Sequence, residues 1–118
     1  MNEVFARKIY DAIVEDNISI YHKLFIEASN EDTIEYWKLA RSLYQNIDDQ
    51  QKEILFHIIR QVIIDTISNV FGTLDGICYL SEDDWEFNLT INGQDTDDDL
   101  QDTFLAYIEE LIESGELI

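Results

Sequence analysis

Proline is absent from the 118 residues, and glycine occurs only four times. A chain so poor in helix breakers can sustain long helices, and the apolar spacing says where they fall. Phe5, Ile9, Ala12 and Ile13 recur at helical intervals over residues 2–15, with Asp16-Asn17 as a break or a new cap. Ile18, Tyr21, Leu24, Phe25 and Ala28 form a second stripe, and Trp37, Ala40, Leu43, Tyr44 and Ile47 a third, with Ser29–Asp32 as the turn between them. The strongest pattern follows Asp48, whose carboxylate precedes Gln51 by three residues in the manner of a capping box. Leu55, Ile58, Ile59, Val62, Ile63, Ile67, Val70, Phe71 and Leu74 then keep a 3.6-residue period, which predicts a central helix over about 49–72, ended by Gly72 or by Asp75-Gly76.

Beyond this helix the period changes from 3.6 to two. Gly76–Leu80 is a short β-prone run, Ser81–Asp84 a polar loop, and Trp85, Phe87, Leu89 and Ile91 alternate with polar residues. These runs predict a small antiparallel hairpin over about 76–92. Asn92-Gly93 is a turn signal that allows another strand at Gln94-Asp95. Leu100, Phe104, Tyr107, Ile108 and Leu111 mark a last helix over about 97–113, with Asp97–Asp99 at its N-terminus, where carboxylates cap amides and favour the dipole. The expected fold is a single α+β domain over 1–118, mostly helical. Four or five helices surround the central one, and the hairpin's apolar face packs on the central or final helix, because two strands alone are marginal.

Charge divides the chain unevenly. The net charge is −19. Residues 1–60 hold seven basic and eleven acidic residues, whereas residues 61–118 hold fifteen acids and no Lys or Arg, Arg60 being the last cation. At 46% hydrophobic and 12% aromatic residues the chain still folds rather than staying disordered. So few cations exclude direct nucleic-acid binding by phosphate neutralisation and adhesion to anionic lipid. No uninterrupted apolar run approaches 18 residues and the N-terminus has no apolar leader, so a cytoplasmic protein without a membrane span is expected. The one cysteine, Cys78, excludes an intrachain disulfide and reads as a small core residue.

Motifs for chemistry are scarce. Asp95-Thr96-Asp97-Asp98-Asp99 starts like a calcium loop, but positions six and twelve are Leu100 and Ala106 where glycine and glutamate are needed, so no metal site is assigned. No nucleophile elbow, phosphate loop or dinucleotide fingerprint occurs, and no cofactor is expected. His57, Gln61, Asp65 and Asn69 form an i, i+4 polar ladder on the central helix, which is its wetter edge, a set of hydrogen-bond partners for the hairpin, or a site in a groove. Glu82, Asp83, Asp84 and Glu86 rim Trp85, which makes that tryptophan a natural anchor for a partner rich in Arg and Lys.

The run Ile64–Gly76 (IDTISNVFGTLDG), followed by Asp99–Leu105 (DLQDTFL), resembles small, acidic, uncharacterised bacterial proteins that include candidate immunity proteins of polymorphic toxin systems. The resemblance implies a binding role and carries over no catalytic residue. The expected function is therefore non-enzymatic: a protein-binding protein, in its sharper form a toxin-neutralising immunity protein covering a basic site. Its contact residues would be Glu82, Asp83, Asp84, Trp85, Glu86, Asp95, Asp97, Asp98, Asp99 and Asp102. The alternatives are a DNA mimic that occupies DNA-binding proteins, and a ligand module or enzyme built on the His57–Asn69 ladder. The sequence leaves the oligomeric state open.

Overall fold

The computed structural model describes residues 1–26, 35–78 and 85–117. Helix α1 (Asn2–Ile9) passes without a break through a π-helical segment (Tyr10–Glu15) into α2 (Asp16–Ile26), so Asp16-Asn17 neither interrupts nor recaps it. Helices α3 (Glu35–Gln45) and α4 (Asp49–Leu74) follow. A hairpin of β1 (Thr90–Ile91) and β2 (Gln94–Asp95) then leads to α5 (Leu100–Glu113). The architecture is α+β and mostly helical, with the small antiparallel sheet just before the last helix.

The π segment has a geometric consequence. Ala6, Tyr10, Val14 and Ile18 are all buried, and they lie four residues apart. In an α-helix of 3.6 residues per turn such a row drifts around the axis. The wider π turns offset that drift, so one straight row faces the core. Phe5 and Ile9 only flank it, and Ile13, expected inside, is 37% exposed.

Helix α4 is the spine. The anticipated capping box is present: Asp48 Oδ1 accepts from the Gln51 amide at 2.8 Å, and Gln51 Oε1 accepts from the Asp48 amide at 2.9 Å. The helix ends at Leu74, and Gly76 turns the chain with φ +79°. Gly72 lies inside the helix, where a Cβ would stand 2.6 Å from Gln101 Nε2 and 2.8 Å from Cys78 Sγ. Its role is close approach rather than termination.

Two apolar clusters sit along this spine. One joins α1, the π segment, the later half of α4 and α5 around Ala6, Tyr10, Val14, Ile64, Phe71, Leu100 and Phe104. The other joins α2, α3 and the start of α4 around Ile18, Tyr44 and Phe56, extended by stacked and edge-on rings of His22, Tyr21, Phe25 and Trp37. Ile63 touches both.

The molecule is open. Its radius of gyration is 17.6 Å over extents of 48 × 37 × 26 Å, against about 13–14 Å for a compact domain of this length. Its surface is 8395 Å², where a folded monomer of 13.9 kDa usually exposes about 6,700 Å². About 58% of the unfolded surface is buried, not the two-thirds usual at this size.

The hairpin differs from the expected one. Thr90 pairs with Asp95 and Ile91 with Gln94 across Asn92-Gly93, whose φ values of 53° and 79° make the tight turn that Asn-Gly favours. Residues Trp85–Leu89 are not strand, Gly76–Cys78 form the turn after α4, and Tyr79 and Leu80 lie outside the described residues. A two-residue turn with both central residues left-handed holds its strands without a long loop, so that pairing wins.

Candidate functional site

The acidic segment before α5 is pinned from beneath. Thr96 is 2% exposed. Its amide and hydroxyl both donate to the Leu89 carbonyl at 3.1 Å, and its own carbonyl accepts from Asn2 Nδ2 at 2.9 Å. Asp75, also buried, reaches from the end of α4 to accept the Leu100 amide at 3.2 Å and the Gln101 amide at 2.7 Å. Gln101 Nε2 then donates to the Ser68 carbonyl at 3.0 Å.

Between these anchors Asp95, Asp97, Asp98 and Asp99 all face solvent, as does Asp102 one turn into α5. Asp95 Oδ1 accepts the Asp97 amide at 2.8 Å, and Asp97 and Asp98 take left-handed conformations with φ 56° and 52°. The expected capping role of Asp97–Asp99 is therefore corrected. Asp99 occupies the N-cap position without a side-chain cap bond, and Asp75 caps the helix from 25 residues upstream. Sequence reasoning missed Asp75 because caps are sought next to the helix they close. All three aspartates are exposed, Asp99 Oδ2 accepting from Thr103 Oγ1 at 3.4 Å.

Trp85 is 65% exposed, with its ring edge-on to Phe87, and Glu86 is exposed. Glu82, Asp83 and Asp84 lie outside the described residues. From Trp85 to Leu117 the described chain holds ten acids and no cation, the α5 acids Asp102, Glu109, Glu110 and Glu113 all exposed.

The ladder on α4 is an edge. Gln61, Asp65 and Asn69 are exposed, and Gln61 Nε2 donates to Asp65 Oδ1 at 2.8 Å. His57 parts from them and lines a cleft of about 350 Å³ with His22, Lys52, Glu53, Arg60 and Glu116. There the rings and cations are engaged with one another. His22 stacks on Phe56 at 3.6 Å, Lys52 Nζ lies 4.9 Å from the Tyr44 ring centre, and Arg60 Nη1 donates to Glu15 Oε1 at 2.7 Å and to Tyr10 Oη at 3.0 Å. Tyr10 in turn donates to Glu15 at 2.7 Å. Burial, and then this bond to a carboxylate, raises the Tyr10 hydroxyl well above its ordinary pKa. Cys78 is half-buried beside Gly72, in the turn after α4 rather than in a strand.

Comparison with protein-family models, curated proteins and solved structures finds no match.

Proposed function

We propose that this is a non-enzymatic protein-binding protein whose anionic C-terminal half covers a basic site on a partner protein, in the manner of a toxin-neutralising immunity protein. One observation carries the reading: five exposed aspartates, Asp95, Asp97, Asp98, Asp99 and Asp102, project from a segment fixed by the buried Thr96 and Asp75. A coat serving solubility alone has no need of fixed geometry. A docking face gains from it, because groups already ordered lose less entropy on binding. The absence of any cation after Arg60 leaves the field of this half undiluted, which speeds encounter with a basic surface and makes that encounter sensitive to salt. Trp85 and Glu86 belong to the same proposed face, Trp85 as the apolar anchor.

The test is capture by the immobilised full chain, compared with the variant Asp97→Asn/Asp98→Asn/Asp102→Asn. The reading expects a basic protein retained at about 0.1 M salt and released near 1 M, inhibited in its own activity while bound, and captured at least about tenfold more weakly by the variant. Undiminished capture by the variant overturns it. Release by duplex DNA instead assigns the DNA-mimic role.

The cleft beside His57 favours a second reading, a small-ligand site. Its volume stands at the lower end of ligand pockets, and Lys52 and Arg60 lie in it beside the carboxylates of Glu53 and Glu116, which would suit a ligand carrying both charges. The existing contacts of His22, Lys52 and Arg60 to Phe56, Tyr44, Glu15 and Tyr10 leave less for a ligand, so the binding-protein reading takes precedence.

A further inference from the structure

The basic side chains of this chain are gathered rather than scattered. It has seven Lys and Arg and two His in all, and four of these nine, His22, Lys52, His57 and Arg60, line the cleft of about 350 Å³ bordered by α2, α3, α4 and the turn after α5. Only two of the 26 carboxylates, Glu53 and Glu116, face the same space, and Ile18, Phe56 and Leu117 give it apolar walls. Several of these groups are not used by the fold. His57 is half-buried and makes no hydrogen bond among the described residues, and the exposed Glu53 and Glu116 form no hydrogen bond or ion pair there. Tyr44 is 8% exposed, yet its hydroxyl has no hydrogen-bond partner among the described residues, where a buried phenol usually finds one. No side-chain oxygen among those residues is sealed in without a partner, so this hydroxyl reaches open space. Arg60 is held rather than spent. Tyr10 and Glu15 stand five residues apart, the spacing that a π turn brings onto one face. Together they fix Nη1 of Arg60 and leave Nε and Nη2 without a partner among the described residues. Segments of π-helix are frequent at functional sites, and this one orients a guanidinium at the cleft.

We infer that this cleft binds a small zwitterion with an apolar body, the chemistry of an apolar α-amino acid or dipeptide. The inference rests on the small-ligand reading of the cleft and adds the class of ligand. The ligand's carboxylate takes the open edge of Arg60, a planar fork already oriented by Tyr10 and Glu15 and suited to two parallel bonds. Lys52, whose ammonium stands 3.9 Å from Asp49, adds positive charge at the same wall. The ligand's ammonium takes Glu53 and Glu116, and its apolar body lies against Ile18, Phe56 and Leu117. A simple anion would be opposed by the two carboxylates, and a simple cation by Lys52 and Arg60. A ligand of both signs meets each group with its opposite, and that is how like-charge repulsion rejects the other two classes. The small volume suits a ligand of this size.

The chain's two histidines make the test direct, since both line the cleft and their ring protons report its occupancy in NMR spectra of the full chain. The probes are L-phenylalanine and glycyl-L-phenylalanine, titrated at about 0.15 M NaCl. Beside them run 3-phenylpropionate, which lacks the ammonium, and 2-phenylethylamine, which lacks the carboxylate. At least one zwitterion shifts the His22 and His57 signals with a Kd of about 1 mM or tighter, and the two singly charged compounds bind at least about tenfold more weakly. The variant Glu53→Gln/Glu116→Gln changes exposed side chains that the fold does not use. It weakens the zwitterion at least about tenfold and strengthens 3-phenylpropionate. Equal binding of either singly charged compound overturns the zwitterion and leaves the cleft to a ligand of another class. Zwitterion binding that the double variant leaves unchanged overturns it as well. No shift with any of the four compounds at about 10 mM overturns the small-ligand reading itself. The triple aspartate variant leaves these titrations unchanged, so failure here is distinct from failure of the acidic docking face.

Discussion

Asp75 and Gln101 stand 26 residues apart in the chain, yet a carboxylate oxygen of the first accepts the backbone amide of the second at 2.7 Å. The residue that closes α4 thereby opens α5, and its other oxygen takes the buried Leu100 amide. Asp75→Ala removes both acceptors and strands a buried donor. The expected loss is about 2–3 kcal/mol, a fall of roughly 10 °C in Tm, with faster hydrogen exchange at Leu100 and Gln101. Asp75→Asn keeps one amide acceptor and loses less. Equal losses for the two variants would refute the cap.

Tyr10, Glu15 and Arg60 make the one long-range polar network of the described residues that ties the π segment to α4. The Tyr10 pKa is raised by burial and by its bond to Glu15. A raised folded-state pKa means the native state holds its proton more tightly than the unfolded chain. The associated stability is therefore complete below pH ~10, the ordinary tyrosine value, and declines as pH rises beyond it. Denaturant unfolding between pH 8 and 11 should show that decline, and Tyr10→Phe should make it shallower, leaving the share of Tyr107, whose hydroxyl burial also pushes up, while costing about 1 kcal/mol at neutral pH. A parallel decline in the variant contradicts this assignment.

Asp98 holds φ 52°, a conformation that glycine adopts without strain. Asp98→Gly removes that strain and one charge from a crowded anionic segment, offset by the entropy that glycine adds to the unfolded state. A net gain of about 0.5 kcal/mol, or 2–4 °C in Tm, is expected. Should the acidic face bind a basic partner, the same change weakens capture. Gain in stability with loss of binding is the trade-off of a site kept for function.

Trp85 is 65% exposed, whereas Trp37 packs among Tyr21, Phe25 and Tyr36. Acrylamide should quench Trp85 first, and Trp85→Phe should remove the red-shifted, quenchable part of the emission without changing Tm by more than about 1 °C, as for a surface change. Emission in the variant that stays red-shifted would place Trp37 in water instead.

The α5 stripe was legible in the sequence. Leu100, Phe104, Ile108 and Leu111 are buried as their spacing predicts, because α5 has one apolar face and one acidic face. The extent of α4 and its Asp48–Gln51 box were legible for a similar reason: both are local. Which side of α4 turns inward was not. Ile58, Val62 and Val70 were expected in the core and are more than half exposed, while Phe56 and Ile64 took their place. Where isoleucine and valine occupy opposite faces, periodicity shows that a helix forms but not which face is covered. The same abundance hid a second property. Counting uninterrupted apolar runs finds no span, yet α4 has an 18-residue stretch of mean hydropathy 1.4 and a length sufficient to cross a membrane. Arg60 and Asp65 break the run without lowering the average enough. The aspartates of the candidate docking face were found as a composition, but the bonds that fix them were not, since Asn2–Thr96 and Asp75–Gln101 join residues that no local pattern connects.

The pairing of α1 with α5 carries a consequence for how the chain assembles. These helices pack extensively on each other, although nearly the whole sequence separates them. Contacts of such separation form late, since closing a long loop costs entropy before anything is gained. The aromatic cluster of α2, α3 and the start of α4 needs far shorter closures. During synthesis that cluster can form while α1 is still without its mate, and the anionic α5, emerging only after the aromatic cluster, completes the second core.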